Sequence, residues 1–133
     1  MPSQAEKIAA FRALHAAPGA FVIANAWDAG SARVLTQIGF SALATSSGAQ
    51  AGVLGRRDGR TTRQEALDHA RAVVLATDLP VSADLEKCFA DAPDGVADTI
   101  RAAIGIGLAG GSVEDATGDP AQPIYPFDAA VAR

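Results

Sequence analysis

The sequence of 133 residues lacks the features that would place a protein in a membrane or in an oxidising compartment. It has a single cysteine, Cys88, so no internal disulfide can form. No apolar run approaches the roughly 20 residues of a membrane-spanning helix, and residues 1–6 lack the charged and apolar regions of a signal peptide. We therefore expect a cytoplasmic protein with no membrane partner.

Positive charge is also scarce in this chain. It has 11 lysines and arginines against 15 aspartates and glutamates, and its formal net charge is −4. A surface for nucleic acid needs an excess of positive charge, so we expect no nucleic-acid partner. The two histidines, His15 and His69, have no second histidine or cysteine at the spacing of a zinc site.

The remaining composition is that of a globular α/β protein, with 49% hydrophobic and 20% charged residues, and we expect residues 1–133 to form a single domain. An N-terminal helix precedes four predicted strands that alternate with helices, at 21–24, 41–44, 80–86 and 112–114. Such alternation predicts a parallel sheet with right-handed crossovers. The sheet is either open and doubly wound or part of a (β/α)₈ barrel. A complete barrel needs about 250 residues, so the chain is long enough for about half of one.

Capping residues predict where three of the helices begin. Ser3 with Glu6, and Thr62 with Glu65, have the spacing of a capping box, in which each side chain bonds the backbone N–H of the other residue. Asp94 is predicted to cap a later helix, because an aspartate side chain can accept a hydrogen bond from a backbone N–H of the first turn.

Further signals predict the connections. Asp28 or Ser31 is predicted to cap the helix after the first strand, and Gly39 is predicted to end that helix. Residues 45–60, which are rich in serine and glycine, are predicted to form one long loop. Residues 126–133 resemble the opening of a further helix.

The stretch from Pro80 to Glu86 ends the third predicted strand with two acids. Residues two apart in a strand point to the same face, so Ser82, Asp84 and Glu86 are predicted to share one side. Neighbouring carboxylates repel each other unless a cation neutralises them or water solvates them. Because Mg²⁺ takes one or two carboxylates and keeps several waters, one interpretation is a magnesium site. The other is a strand that runs out into a solvated acidic loop.

Side chains capable of chemistry follow the carboxyl ends of all four predicted strands. Ligands in parallel α/β folds bind at that edge, so the convergence favours a functional site over solvated loops. In chain order the candidates are Trp27 in the segment 25–28, then Ser46, Ser47, Gly48, Asp58, Asp84, Glu86 and Glu114. Trp27 either forms the wall of a pocket or covers the end of the fold.

The glycine-rich string at 105–110 matches a dinucleotide-binding fingerprint in its letters but not in its context. It follows a predicted helix and precedes a predicted strand, whereas the fingerprint needs the opposite order to bring a helix N-terminus to the pyrophosphate. We interpret these glycines as a helix end that packs closely on the sheet.

An ordered set of short motifs resembles the isocitrate lyase/phosphoenolpyruvate mutase superfamily, and in particular the proteins similar to 2-methylisocitrate lyase and carboxyphosphonoenolpyruvate phosphonomutase. The motifs are Asn-Ala-Trp-Asp-Ala-Gly-Ser-Ala at 25–32, Thr-Ser-Ser-Gly-Ala at 45–49, Asp58, Ser-Ala-Asp-Leu-Glu at 82–86 and Val-Glu-Asp at 113–115. The resemblance implies that the chain, with about four β/α units and an N-terminal helix, is the N-terminal half of a TIM (β/α)₈ barrel.

The same resemblance implies the chemistry and the roles of the residues. It implies Mg²⁺, or Mn²⁺ in its place, and a small carboxylate substrate that is a 2-oxo acid, its enolate or a phosphonate. Asp84 and Glu86 are the implied metal residues, with Glu86 acting largely through metal-bound water. The implied roles at the other positions are catalytic for Asp58 and Glu114, which also reach the metal through water, and substrate-binding for Trp27, Ser46, Ser47 and Gly48.

Two departures from the superfamily pattern affect different parts of the expected site: the first changes the backbone beside the metal residues, and the second narrows the expected activity. Residues 88–90 are Cys-Phe-Ala where Gly-Tyr-Gly is common, and residues 116–120 are Ala-Thr-Gly-Asp-Pro where the C–C lyases carry a loop with a catalytic cysteine. Cysteine-dependent cleavage of isocitrate or methylisocitrate is therefore not expected.

We expect an Mg²⁺-dependent lyase or mutase that makes or breaks a C–C or P–C bond. Half a barrel would leave strand edges unpaired, so we also expect either a longer protein or a homo-oligomer that completes the fold. The alternatives are a non-catalytic half-barrel, which is either a truncated gene product or an assembly module, and an open-sheet binding domain of flavodoxin-like order.

Overall fold

Four parallel strands form the central sheet of the structure, a computed structural model that describes residues 1–133. The strands are β1 (Ala24–Asn25), β2 (Leu43–Ala44), β3 (Val81–Asp84) and β4 (Gly110–Ser112), and they lie in the order β1-β2-β3-β4. Each strand pairs in parallel with the next one along the chain. The predicted α/β class is confirmed.

Six helices and one antiparallel strand pair complete the fold. The helices are α1 (Gln4–Ala16), α2 (Ala29–Ile38), α3 (Ser47–Val53), α4 (Arg63–Ala76), α5 (Pro93–Gly105) and α6 (Phe127–Ala132). The antiparallel pair consists of β5 (Ala116–Asp119) and β6 (Gln122–Ile124). No helix is both long enough and apolar enough to cross a membrane.

The capping boxes that the sequence predicts are present at α1 and α4. Ser3 accepts a hydrogen bond from the backbone N–H of Glu6, whose carboxylate accepts from the backbone N–H of Ser3 at 2.7 Å. Thr62 and Glu65 make the same reciprocal pair, with the Thr62 N–H donating to Glu65 at 2.8 Å. These local bonds determine where both helices begin.

Helix α2 uses both of the capping residues that were alternatives in the sequence. Asp28 accepts from the Ser31 N–H at 2.7 Å, and the Ser31 hydroxyl accepts from the Asp28 N–H at 3.0 Å. The helix ends at Gly39, whose φ of 102° lies in the left-handed region that glycine favours.

The predicted bounds of all four strands and the start of one helix are wrong. Strand β2 pairs at 43–44 rather than 41–44, and β3 ends at Asp84 rather than at Glu86. The strand expected at 21–24 pairs only at Ala24–Asn25, because only these two residues lie opposite β2, and Val22 outside the pairing is 70% exposed. Helix α5 begins at Pro93, which needs no N–H bond in the first turn, so Asp94 lies inside the helix instead of capping it. Strand β4 pairs at 110–112 rather than 112–114, because Gly110 to Ser112 match the register of Ser82 to Asp84.

Three elements, one helix and two strands, were not predicted. The stretch 45–60 contains the short helix α3 rather than one continuous loop, since Ser46 caps the Ala49 N–H and begins a turn despite the glycines. Strands β5 and β6 form where only a connection was expected.

Helices α2, α4 and α5 cover one face of the sheet and form the core with it. Val81 and Ala83 of β3 point into this core, whereas Ser82 and Asp84 face the other side. Leu43 and Val73 are fully buried in it. Burial of side chains of this size contributes about 1.5–3 kcal/mol each to stability.

Helix α1 closes the amino end of the sheet. The Lys7 ammonium is buried and donates to the Thr77 carbonyl at 2.8 Å, just before β3 begins. Burial lowers the pKa of the Lys7 amine. Gln4 donates to the carbonyls of Ile104 and Leu108 at 2.8 and 3.0 Å, just before β4 begins. The helix is therefore attached to the end opposite the predicted site.

Strand β4 leaves one edge of the sheet unpaired. Beyond it lies a cleft of about 300 Å³ between α1 and α5, lined mostly by apolar side chains that include Ile8, Leu85 and Leu108.

Two glycines of α5 provide a matched test of packing against the loop that follows β3. A Cβ on Gly95 would lie 2.6 Å from the Cβ of Ala90, whereas a Cβ on Gly105 would meet no atom within 4 Å. We expect Gly95→Ala to lower the free energy of unfolding by about 1–3 kcal/mol, because the loop must move. Gly105→Ala should leave that free energy unchanged or raise it by up to about 1 kcal/mol, because alanine favours a helix.

Urea unfolding followed by circular dichroism measures both changes. An equal effect of the two substitutions would contradict the close approach of α5 to Ala90.

Candidate active site

The carboxyl edge of the sheet carries the predicted site residues. Asp84 is the last residue of β3, and Ser46 lies two residues beyond β2. Glu114 lies two residues beyond β4, and its N–H donates to the Glu86 carbonyl at 2.9 Å. The Asn25 side chain, at the end of β1, donates to the Thr45 carbonyl at 2.9 Å. The loops after all four strands are thus joined at this edge.

Asp84 is held by three hydrogen bonds. One carboxylate oxygen accepts from the Ser47 N–H at 2.9 Å, and the other accepts from the Glu86 N–H at 3.1 Å. The Asp84 N–H donates to the Thr45 hydroxyl at 3.1 Å. These bonds orient the carboxylate between the loop after β2 and the loop after β3.

Asp58 reaches the same edge and lies against Gly48 of α3. A Cβ on Gly48 would be in ordinary van der Waals contact with one Asp58 carboxylate oxygen, at 3.5 Å. The other oxygen accepts from the Gly59 N–H at 2.9 Å, which orients the side chain at the turn. The Asp58 carboxylate is therefore placed beside the segment that follows β2.

The four predicted acids influence one another electrostatically. Burial raises the pKa of Glu86, and the neighbouring charges of Asp58, Asp84 and Glu114 raise it further. Partial burial also raises the pKa of Glu114, with added contributions from Asp84, Asp58 and Asp115. A proton or a cation is therefore favoured at this cluster of carboxylates.

The prediction that β3 continues to Glu86 is wrong. The strand ends at Asp84, and Glu86 has a φ of 49°, so it does not share the strand face of Ser82 and Asp84. Cys88 and Phe89 are also left-handed, with φ values of 58° and 56°. Side chains in this region cost about 1–3 kcal/mol each, and such strain is concentrated at functional sites.

The predicted substrate-binding residues differ in whether they lie beside the acidic cluster. The Ser47 N–H is engaged by Asp84, and the Ser46 hydroxyl accepts from the Ala49 N–H at 3.3 Å as the cap of α3. Trp27 is 58% exposed, and its backbone bonds Ser31 and His69 rather than the acidic cluster. The structure thus brings together the acids and the 46–48 segment, without a bond from Trp27 to either.

Sequence reasoning missed two residues that organise the site. Thr45 is buried and supports the Asp84 backbone, and the Thr61 hydroxyl lies 3.5 Å from a Glu86 carboxylate oxygen. Thr45 is the first residue after a predicted strand, and this position could have indicated that it belongs to the site. Nothing in the sequence around Thr61 distinguishes it from a helix-capping segment.

The donor set suits a hydrated hard cation better than a cage made only of protein. No three histidine, cysteine, aspartate or glutamate side chains converge closely enough to hold one ion directly. The charges of Asp58, Asp84 and Glu114 nevertheless raise the pKa of Glu86, so these carboxylates lie near enough to act together through water. Mg²⁺ is bound in this way, through one or two carboxylates and several waters.

A parallel sheet of βα units with acids at its carboxyl edge is the arrangement of barrel-type α/β enzymes. The chain belongs to the phosphoenolpyruvate phosphomutase family, whose model matches residues 11–133. The resemblance that the motifs indicated is confirmed at this level.

Solved structures agree with this assignment. A Burkholderia cenocepacia J2315 protein described as a lyase/mutase is 54% identical, with a TM-score of 0.96 over 97% of this chain and 47% of its own. A protein of the same organism described as a phosphonomutase is 39% identical, with a TM-score of 0.90 over 98% of this chain and 52% of its own. The 2,3-dimethylmalate lyase of the phosphoenolpyruvate mutase/isocitrate lyase superfamily is 26% identical, with a TM-score of 0.84 over 99% of this chain and 46% of its own.

The chain spans about half the length of the proteins it matches. Two curated relatives, both uncharacterized proteins of Mycobacterium tuberculosis, are 31% identical over 109 residues, which is 82% of this chain and 41% of theirs.

The burial of Glu86, together with the repulsion from the neighbouring acids, predicts that Glu86→Gln stabilises the metal-free chain at pH 7. A raised pKa means that Glu86 favours folding fully below its ordinary pKa of 4.5, and that this contribution is lost as the pH rises through the folded value. The difference in free energy of unfolding between Glu86→Gln and the unsubstituted chain should therefore shrink as the pH is lowered from 7 towards 4.5. Urea unfolding in EDTA measures it.

Glu65→Gln is the matched control with the opposite sign. Its hydrogen bonds to Thr62, and then Arg56, lower the pKa of Glu65, so its charge stabilises the fold at pH 7. Destabilisation by Glu86→Gln at pH 7 would contradict the electrostatic reading of the cluster.

Proposed function

We propose that the chain forms the metal- and substrate-binding edge of an Mg²⁺-dependent lyase or mutase that acts on a small 2-oxo acid or its enolate. The observation that supports this most is the meeting of Asp58, Asp84, Glu86 and Glu114 at the carboxyl edge of the parallel sheet. A bound cation would offset the repulsion among four carboxylates at one edge.

In this proposal Asp84 is the direct ligand of the ion. Its two hydrogen bonds to the N–H groups of Ser47 and Glu86 orient its carboxylate and leave further lone pairs free. Asp58, Glu86 and Glu114 accept hydrogen bonds from the water that the ion retains. When bound, Mg²⁺ supplies Lewis-acid stabilisation of negative charge on the oxygens of a 2-oxo acid.

The segment 46–48 is proposed to bind the substrate carboxylate. It lies directly beside Asp84, as the bond between the Ser47 N–H and the Asp84 carboxylate requires. The hydroxyls of Ser46 and Ser47 and the backbone at Gly48 are then available to an anionic group held next to the ion. Trp27, exposed in the loop after β1, is proposed to form an outer wall of the pocket.

The bond that the enzyme acts on is proposed to be C–C or P–C. Similar structures include proteins described as a phosphonomutase and as 2,3-dimethylmalate lyase, and these two descriptions support the proposal. A cysteine acid/base is excluded from the proposal, because the one thiol, that of Cys88, is fully buried and burial raises its pKa. The segment after Glu114 forms β5 and β6 and carries no thiol.

Oxalate tests this proposal, because it is a planar dicarboxylate that imitates an enolate of a 2-oxo acid. We expect calorimetric titration to show oxalate binding that requires Mg²⁺ and is lost in EDTA. Asp84→Asn should weaken the binding by more than the 10–100-fold that is typical when a residue outside the metal ligands is changed. Circular dichroism verifies that each variant is folded.

Asp94→Asn is the matched control, since Asp94 is an exposed acid in the first turn of α5 and is not among the charges that raise the pKa of Glu86 or Glu114. It should bind oxalate as the unsubstituted chain does. Binding that is indifferent to EDTA, or equal in the two variants, would show that Asp84 holds no metal.

A further inference from the structure

The loop 86–91, which joins β3 to α5, adopts a backbone that its residues do not favour. Glu86, Cys88 and Phe89 have φ values of 49°, 58° and 56°, in the left-handed region that side chains disfavour. None of the three is a glycine, so the sequence does not relieve the strain locally. Contacts from other elements must therefore hold this loop in place.

The carbonyl groups of this loop are bonded to distant parts of the chain. The Arg133 guanidinium donates to the carbonyls of Lys87, Ala90 and Asp91, each at 2.7 Å. The Thr99 hydroxyl of α5 donates to the Cys88 carbonyl at 2.8 Å. These bonds come from α5 and from the residue that follows α6, and neither Arg133 nor Thr99 bonds a carboxylate of the site.

Arg133 is itself fixed in position. Its guanidinium carbon lies 4.1 Å from the centre of the Tyr125 ring, and the Tyr125 hydroxyl donates to Asp91. Lys87 forms an ion pair with the same Asp91 carboxylate at 2.7 Å. A planar guanidinium with several N–H donors can bond three carbonyls at once, which a single ammonium cannot do with the same geometry.

We propose that Arg133 and Thr99 are positioning residues, which hold the loop 86–91 in its left-handed conformation and thereby place the Glu86 carboxylate beside Asp58, Asp84 and Glu114. They act through the backbone and do not touch substrate or metal. The consequence for metal binding rests on the function proposed above, whereas the holding of the loop does not.

Cys88 provides a direct measure of the loop, because it is the only thiol in the chain and is fully buried. A thiol reagent such as dithionitrobenzoate can react with it only when the loop opens. We expect Arg133→Met, which keeps the aliphatic length and removes the donors, to speed labelling by about tenfold or more, because charge-assisted hydrogen bonds are lost. Thr99→Val, of nearly the same shape, should speed labelling in the same direction.

Arg101→Met is the matched control, because Arg101 is an exposed arginine of α5 that pairs only with Asp98. It should label at the rate of the unsubstituted chain. Equal rates for Arg133→Met and Arg101→Met would overturn the proposal.

Mn²⁺ affinity, measured by electron paramagnetic resonance well below the melting temperature, tests the link to the site. We expect Arg133→Met to bind Mn²⁺ about 10–100-fold more weakly, as is typical when a partner outside the metal ligands is lost. Adding Cys88→Gly to Arg133→Met should restore much of the affinity, since glycine adopts a positive φ without strain. Adding Cys88→Ala, which removes the thiol but keeps the Cβ, should not.

The outcomes separate the two proposals. If the unsubstituted chain binds no Mn²⁺, the proposed function fails, and the labelling rates alone decide whether Arg133 holds the loop. Faster labelling with unchanged Mn²⁺ affinity would overturn the positioning role, as would equal restoration by glycine and alanine at position 88.

Discussion

The hydrogen bonds of Asp84 are the interaction on which the carboxyl edge of the sheet depends. They connect the end of β3 to Thr45 and Ser47 on one side and to Glu86 on the other. The parallel register brings these segments to one edge. The hydrogen bonds of Asp84 then fix their positions relative to one another. Since the same residue carries one of four interacting charges, the bonds that order the edge also gather repelling groups there.

Local signals in the sequence predicted the helices better than the strands. Helices α1, α2 and α4 begin where side chains a few residues apart bond one another, so their starts can be read from Ser3, Asp28 and Thr62 alone. Strand ends depend instead on which partner lies alongside. Strand β1 is limited to Ala24 and Asn25, which lie opposite Leu43 and Ala44, and β4 begins early because Gly110 and Gly111 match the register of β3.

The candidate site was predictable where it follows from topology. The acids of the cluster were identified because each follows a strand of a parallel sheet, and the structure places them together; their roles stay predictions. The loop 86–91 could not be predicted, because its conformation depends on bonds from Arg133 and Thr99, which are distant in sequence. Position after a strand was not sufficient for Trp27, because that position does not decide where a side chain points.

The attachment of α1 separates two tasks between opposite ends of the sheet. Gln4 and Lys7 secure the amino end through the carbonyls that precede β4 and β3, while the acids occupy the carboxyl end. Substitutions in α1 can therefore change the free energy of unfolding and leave the arrangement of the acids as it is. Resistance to unfolding and the geometry of the carboxyl end are thus open to separate change during evolution.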